Sequence, residues 1–188
     1  RDPVWLATQF RYVQNLYFSG ITLAILDAVN RQSFLSAVLA AKADGARVIF
    51  DTNLRTRLWE DAKTMCHWVT QAAAIADIVM PSFDDEAIIF GDAAPVDTAA
   101  RYLQGATQLV VVKDGARPVS VASRDAPTYT VMVPVAATVV DSTAAGDAFN
   151  AGFIAGLIEG EDTRRSVARG AALSAHVIGG KGALVDFC

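Results

Sequence analysis

Residues 139–160 read VVDSTAAGDAFNAGFIAGLIEG, and this stretch decides the fold. An acid, Asp141, and a run of small residues, Ala144, Ala145 and Gly146, precede a second acid, Asp147, which opens an apolar run of helical period. The expected local structure is a strand ending at Asp141, a tight turn, and a helix beginning near Asp147. Small residues let backbone come close to a ligand, and the first N–H groups of a helix have no intrahelical partner. Such a turn is an anion hole, able to stabilise the charge on the peripheral oxygens of a transferring phosphoryl group. A hydroxyl nucleophile then needs a nearby base that does not hold the phosphate, and Asp147 stands where that base would be. Asp147 equally suits the ordinary role of a capping or first-turn acid.

Ala148, Gly152 and Gly156 recur every four residues beyond Asp147, flanked by Phe149, Phe153 and Leu157. That spacing describes a helix face built for close packing. The segment before Glu159 is too short for a membrane-spanning pair of helices, so the glycines belong to a core.

Outward from this stretch, short β-branched or aromatic runs alternate with helix-period segments, the pattern of an α/β fold with a largely parallel sheet. Strands are expected at 16–20, 46–51, 78–80 and 108–115, followed by two successive strands, antiparallel, in 118–123 and 128–135. Helices are expected at 33–43, 60–77, 82–90, 95–104 and 163–178. Ser82 with Asp85 suggests a capping box, and Gly179-Gly180 a helix C-cap. No repeat or linker divides the chain, so residues 1–188 read as a single α/β domain. Ligands of open α/β sheets sit beyond the carboxyl ends of the strands. Ser19-Gly20, residues 51–55, residues 113–115 and residues 141–147 are therefore the candidate rim.

Composition narrows the partners. The 188 residues are 53% hydrophobic and 19% charged, with a net charge of −4. This is enough apolar material for a real core, and neither a basic block for nucleic acid nor an anionic-membrane surface is present. Small molecules are the expected partners. Cys66 and Cys188 have no metal-ligand or disulfide spacing, which suits a cytoplasmic protein. The chain opens at Arg1 without a basic-then-apolar leader, and reads as a piece of something longer. His67 and His176, among apolar neighbours, are taken as structural.

The segment DSTAAGDAFNAGF resembles the C-terminal signature of the ribokinase-like (PfkB) carbohydrate kinases, an Asp-Thr-x-Gly-Ala-Gly-Asp run, with Ser142 for the Thr and Ala144 for the first Gly. Ala at 144, FDTNLRTRLWED (50–61) and YFSGITLAIL (17–26) are most similar to the branch that phosphorylates 2-keto-3-deoxygluconate. The resemblance covers the C-terminal two-thirds of such a kinase. It implies a three-layer α/β/α fold whose first strands and β lid lie outside this chain, ATP and Mg²⁺ as cofactors, K⁺ in some members, a sugar-acid substrate and a homo-oligomer.

It also implies roles. Asp147 is the general base on the sugar's terminal hydroxyl, with the Ala145 and Gly146 amides on the γ-phosphate and Ala144 lining the same turn. Arg55, with Asn53 shaping its loop, grips the sugar-acid carboxylate, which a guanidinium fork matches in two parallel hydrogen bonds. Arg55 and Arg57 could also be a solvated loop pair or bridge to Asp51, with Leu58 and Trp59 as core anchors. Lys113 and Gly115 match the turn beside the ATP phosphates, although Pro118 departs from the usual glycine, and Lys-Asp-Gly is an ordinary turn in many proteins. Gly180 and Gly182, in GGKGA (179–183), fall where the family closes over adenine, or form a glycine-rich C-cap. Asp141 matches a monovalent-cation ligand. For the family's Asn-x-x-Glu element at Mg²⁺, residues 81–86 offer Ser82, Asp85 or Glu86, and Glu86 is the choice. The expected activity is transfer of the ATP γ-phosphate to 2-keto-3-deoxygluconate. Alternatives are a neutral-sugar kinase of fructokinase or ribokinase type, a non-catalytic nucleotide-binding sensor, and a purely structural fragment.

Overall fold

The computed structural model describes residues 3–134, 138–182 and 185. Arg1, Val135, Ala183 and Cys188, on which expectations above touch, lie outside the described residues. Strands and helices alternate as the sequence pattern requires. In chain order they are α1 (Pro3–Gln9), β1 (Asn15–Ser19), α2 (Gly20–Ala24), α3 (Ala28–Ala43), β2 (Arg47–Asp51), a 3₁₀ turn (Thr56–Leu58), α4 (Ala62–Ile75) and β3 (Ile78–Val79). Then follow α5 (Phe83–Phe90), α6 (Pro95–Tyr102), β4 (Leu109–Val112), β5 (Val119–Ser123), β6 (Tyr129–Val131), α7 (Ala145–Ile158) and α8 (Thr163–Val177).

The sheet runs in the order β1-β2-β3-β4-β5-β6, and β1 to β4 pair in parallel, with Phe18 opposite Phe50 and Val79 opposite Val110. Each parallel step is spanned by a helix, the connection a parallel pair demands. The link from β4 to β5 is too short for such a crossover, so these neighbours are antiparallel. The fold is α/β with a mostly parallel sheet, as expected.

The chain forms two compact units, one of Arg1–Val112 with Val121–Thr128, the other of Lys113–Ser120 with Tyr129–Cys188. In the first, Phe18 packs edge-on against Phe34 at 5.2 Å and on Phe50 at 4.9 Å. Val38, Val48, Val69, Val79 and Val110 complete a core from which water is excluded. Continuous apolar strands are what a sheet covered on both faces needs. In the second unit α7 lies against α8 through glycines. A Cβ on Gly152 would come within 2.9 Å of the Gly170 Cα, and one on Gly170 within 2.6 Å of the Phe149 carbonyl oxygen. The four-residue repeat is thus a helix-packing face. Among the described residues no helix is long and apolar enough to cross a membrane.

Several local expectations need correction. Helix α3 begins at Ala28, not near Ser33, because the Asp27 carboxylate caps it by accepting from the Asn30 N–H at 2.8 Å. Residues 138–143 form no strand; the Val140 and Asp141 amides both bond to the Ile178 carbonyl, at 2.8 and 3.2 Å. Ser82 stands at the N-cap of α5 without a side-chain cap bond. Helix α8 ends on right-handed Ile178 and unwinds through short bonds, Gly179 N–H to His176 and Gly180 N–H to Val177, without a left-handed glycine cap. Leu58 is half exposed, and His67 and His176 are on the surface.

Candidate functional site

In the first unit the candidate residues gather around the loop that leaves β2. Gly20 opens α2 directly beneath this loop: a Cβ there would lie 2.0 Å from the Thr52 carbonyl oxygen. Only glycine permits that approach. Asn53 and Arg55 have φ of 30° and 41°, the left-handed region that non-glycine residues rarely adopt. The loop is held open in that form from behind. Buried Trp59 donates from Nε1 to the Leu54 carbonyl at 2.8 Å, and the Arg31 guanidinium lies over the Trp59 ring at 4.8 Å. Arg31, itself buried, donates to the Leu23 and Ala24 carbonyls at the end of α2 and to Glu60 at 2.9 Å. One side chain therefore ties α2, α3 and the loop together. Trp59 anchors the loop as expected.

Arg55 is exposed at the loop tip and lines a cleft of about 450 Å³ with Arg57, Leu58, Asp85 and Ile88. Two guanidinium groups and one carboxylate on partly apolar walls suit a small polyhydroxy acid.

Glu86 is not in this cleft. Its carboxylate is fully buried, accepting from Arg101 Nη2 and the Tyr102 hydroxyl, both at 2.9 Å, while Arg101 also grips Asp92. Burial raises the Glu86 carboxyl above its ordinary 4.5, against the nearby Thr52 hydroxyl and Arg101. A carboxylate enclosed in this way cannot present itself to a solvated Mg²⁺, so the choice of Glu86 is corrected. Asp85, one residue earlier on α5 and facing the cleft, takes its place as the candidate.

In the second unit the opening stretch folds into the expected turn. Ala144 is left-handed at φ 60° and caps α7, whose first turn carries Gly146 and an exposed Asp147. The Ala145 amide is turned to the Ser142 carbonyl at 3.2 Å, so the next donors of the first turn are those of Gly146 and Asp147. Lys113, buried directly after β4, reaches this turn: its Nζ lies 3.8 Å from where a Cβ of Gly146 would stand, and donates to Asn150 Oδ1 at 3.0 Å. Gly115 is left-handed at φ 57° in a turn closed by the Asp114–Arg117 ion pair.

Asp141 joins the turn to the segment after α8. Its carboxylate accepts from the Thr143 amide at 2.8 Å and the Gly182 amide at 3.1 Å. The Thr143 hydroxyl, with those two amides, holds its carboxyl below the ordinary 3.8. Gly182 is left-handed at φ 81°, and Gly180 lies against Val185, where a Cβ would come within 2.6 Å of a methyl. These glycines set the path of the backbone beside the α7 turn. In one unit Lys113 thus approaches Gly146 and Asp141 binds Gly182, and in the other Arg55 and Asp85 line one cleft. Arg31 and Asn150 escaped the sequence reading. The only signal for either was a polar residue within an apolar helical run.

A family model described as pfkB family carbohydrate kinase matches residues 5–186. A 2-dehydro-3-deoxygluconokinase of Dickeya dadantii is 34% identical over 187 residues, covering 98% of this chain and 60% of its own length. One from Escherichia coli is 35% identical over 172 residues, covering 90% of this chain and 56% of its own. The chain therefore spans less than two-thirds of the curated relatives it matches. Among solved structures, a PfkB protein from Polaromonas superposes with a TM-score of 0.80 at 30% identity, over 96% of this chain and 57% of the other. An E. coli ribokinase-like protein in complex with ATP and Mg²⁺ gives 0.79 at 25% identity, over 94% and 56%. With the family model spanning residues 5–186, nearly the whole chain, the chain belongs to the pfkB family of carbohydrate kinases.

Proposed function

We propose that the protein is an ATP-dependent sugar-acid kinase, which transfers the γ-phosphate of ATP to the terminal hydroxyl of 2-keto-3-deoxygluconate and releases ADP and the 6-phosphate. The observation that carries this is the α7 turn: left-handed Ala144, Gly146 without a side chain, and an exposed Asp147 in one helical turn, with the Lys113 ammonium behind them. The hydroxyl oxygen forms the new bond to phosphorus as the bond from phosphorus to the β-phosphate oxygen breaks, and the hydroxyl proton passes to the Asp147 carboxylate. The first-turn amides hold the peripheral oxygens, a role that needs fixed donors and no reorganisation.

Mg²⁺ neutralises charge on the phosphates in this chemistry, and it binds through one or two carboxylates together with phosphate oxygens and water. Asp85, half-buried and facing the cleft, fits that modest demand. Asp141, with Oδ1 on the Thr143 amide and Oδ2 on the Gly182 amide, is the carboxylate that would hold a monovalent cation. For the substrate, the relatives named 2-dehydro-3-deoxygluconokinase support a sugar acid, and Arg55 and Arg57 in the cleft supply the complementary charge.

The test is ATP-dependent phosphorylation of 2-keto-3-deoxygluconate by the wild type and Asp147→Asn, with ATP binding measured alongside. The variant should keep its ATP affinity and lose kcat by about 10²–10⁴-fold, the range for a general base. Equal turnover in the two proteins would remove Asp147 from the chemistry, and ATP binding without transfer to any sugar would make the protein a nucleotide sensor.

A further inference from the structure

Asn150 has no role in the activity proposed above, yet its placement is unusual for a packing residue. It is 1% exposed, in the second turn of α7, four residues after Gly146 and therefore on the same helix face. Its neighbours Phe149 and Phe153 are buried apolar residues, and an amide in such company must be satisfied or it destabilises the fold. It is satisfied by an ammonium. Lys113 Nζ donates to Asn150 Oδ1 at 3.0 Å, while the same Nζ stands 3.8 Å from the missing Cβ of Gly146.

The chemistry of this choice is specific. A lysine carries its charge on a long flexible stem, so a partner is needed to hold the ammonium in one place. A carboxylate at position 150 would hold the ammonium more tightly and offset its charge. An amide oxygen orients the ammonium and adds no negative charge. The bond sets the ammonium beside the N-terminal turn of a helix, an end whose first amides favour an anion. Gly146 lies on the same side, where a Cβ would stand in ordinary contact with the ammonium at 3.8 Å.

We propose that Asn150 is a positioning residue, which fixes the Lys113 ammonium beneath the α7 turn so that its charge acts on the phosphate chain of the nucleotide. This rests on the kinase reading for the identity of the anion. The geometry itself, one lysine, one buried amide and one glycine, does not depend on which sugar is used.

The experiment compares wild type, Lys113→Met, Asn150→Ala, their double variant and Asn150→Asp. For each, ATP and adenosine binding are measured by calorimetry, kcat and KM for ATP by coupled assay, and folding by thermal melting. Asn150→Ala and Lys113→Met should each weaken ATP binding or lower kcat by about tenfold to a hundredfold, as loss of a preorganised electrostatic group does, and leave adenosine affinity unchanged. The double variant should be no worse than Lys113→Met, because the two act as one unit. Additive losses, or equal losses for ATP and adenosine, would reduce Asn150 to a packing residue and overturn the proposal.

Asn150→Asp decides the matter even if the alanine variant does not fold. It keeps a partner for the ammonium and adds a negative charge, so it should melt near the wild type and bind ATP about tenfold more weakly. Unchanged ATP binding in that variant would refute the proposal. The two readings fail separately. A wild type that transfers no phosphate, but whose preference for ATP over adenosine collapses in both single variants, sinks the kinase reading and keeps the Lys113–Asn150 pair. A kinase indifferent to Asn150→Ala does the reverse.

Discussion

Trp59 donates from its indole nitrogen to the Leu54 carbonyl at 2.8 Å, closing a short ring of backbone whose outermost residue is Arg55. Both partners are buried, and the buried Arg31 guanidinium lies over the indole ring. The left-handed Asn53 and Arg55 are thus imposed by a brace, since isolated residues of these types would leave that region. Trp59→Phe keeps the ring's apolar contact and deletes the donor, leaving the Leu54 carbonyl buried without its partner. The expected cost is about 1–3 kcal/mol in urea unfolding. Substrate KM should rise more than ATP KM, because the brace serves the Arg55 loop. An unchanged urea midpoint would mean that solvent satisfies the carbonyl.

On the proposed activity, Arg55 is the residue expected to separate acid from neutral substrates. It is exposed at the cleft, where a guanidinium can meet a carboxylate in two parallel hydrogen bonds. Arg55→Met should lower kcat/KM for 2-keto-3-deoxygluconate by about 10²-fold, the scale of one lost charge-assisted contact of roughly 1.5–3 kcal/mol. A neutral hexose, measured in the same assay, should be affected much less. Equal losses on both would indicate that Arg55 shapes the loop, and a neutral-sugar kinase would become the better reading.

Glycine usually weakens a helix interior, so replacing one with alanine normally stabilises by up to about 1 kcal/mol. Gly170 should do the opposite. Its Cβ would stand 2.6 Å from the Phe149 carbonyl oxygen, which is backbone and cannot swing aside. Gly170→Ala should therefore push α8 off α7 and destabilise by about 1–3 kcal/mol, the range for overpacking. A rise in melting temperature would show that the two helices slide apart without penalty.

The legibility of these features followed their distance along the chain. The α7 turn could be read because acid, small residues and helix are consecutive, and the packing face because its four-residue period lies within one helix. Register beyond one helix could not. Asp84, Asp85 and Glu86 are three acids in one turn of α5, and which of them turns inward depends on Arg101 and Tyr102, delivered by another helix. The sequence reading chose the inward one. Arg31 was invisible for the same reason, since its partners Leu23, Ala24 and Glu60 surround it only after folding. The strand expected before Asp141 failed on a different ground. Val139 and Val140 look β-forming, but they are more than half exposed and their segment bonds to the end of α8 instead of a sheet.

The buried Glu86 gives the protein a pH dependence opposite in sign to that of its capping acids. Asp61 caps α4 by accepting from the Thr64 amide at 2.7 Å, which lowers its carboxyl below 3.8. Its contribution is present above pH 3.8 and lost as the pH falls through its folded-state value. Burial raises the Glu86 carboxyl above 4.5, so the folded protein holds that proton more tightly than the unfolded chain does. Its contribution is complete below pH 4.5 and declines as the pH rises through the raised value. Glu86→Gln removes this titration and keeps acceptors for Arg101 and Tyr102. The melting temperature of the variant, relative to wild type, should therefore climb as the pH is raised from 4.5 towards neutrality, with activity at neutral pH retained because Glu86 faces no ligand. A melting difference that stays flat across that window would mean the carboxylate is ionised throughout, stabilised by Arg101 more strongly than burial opposes it.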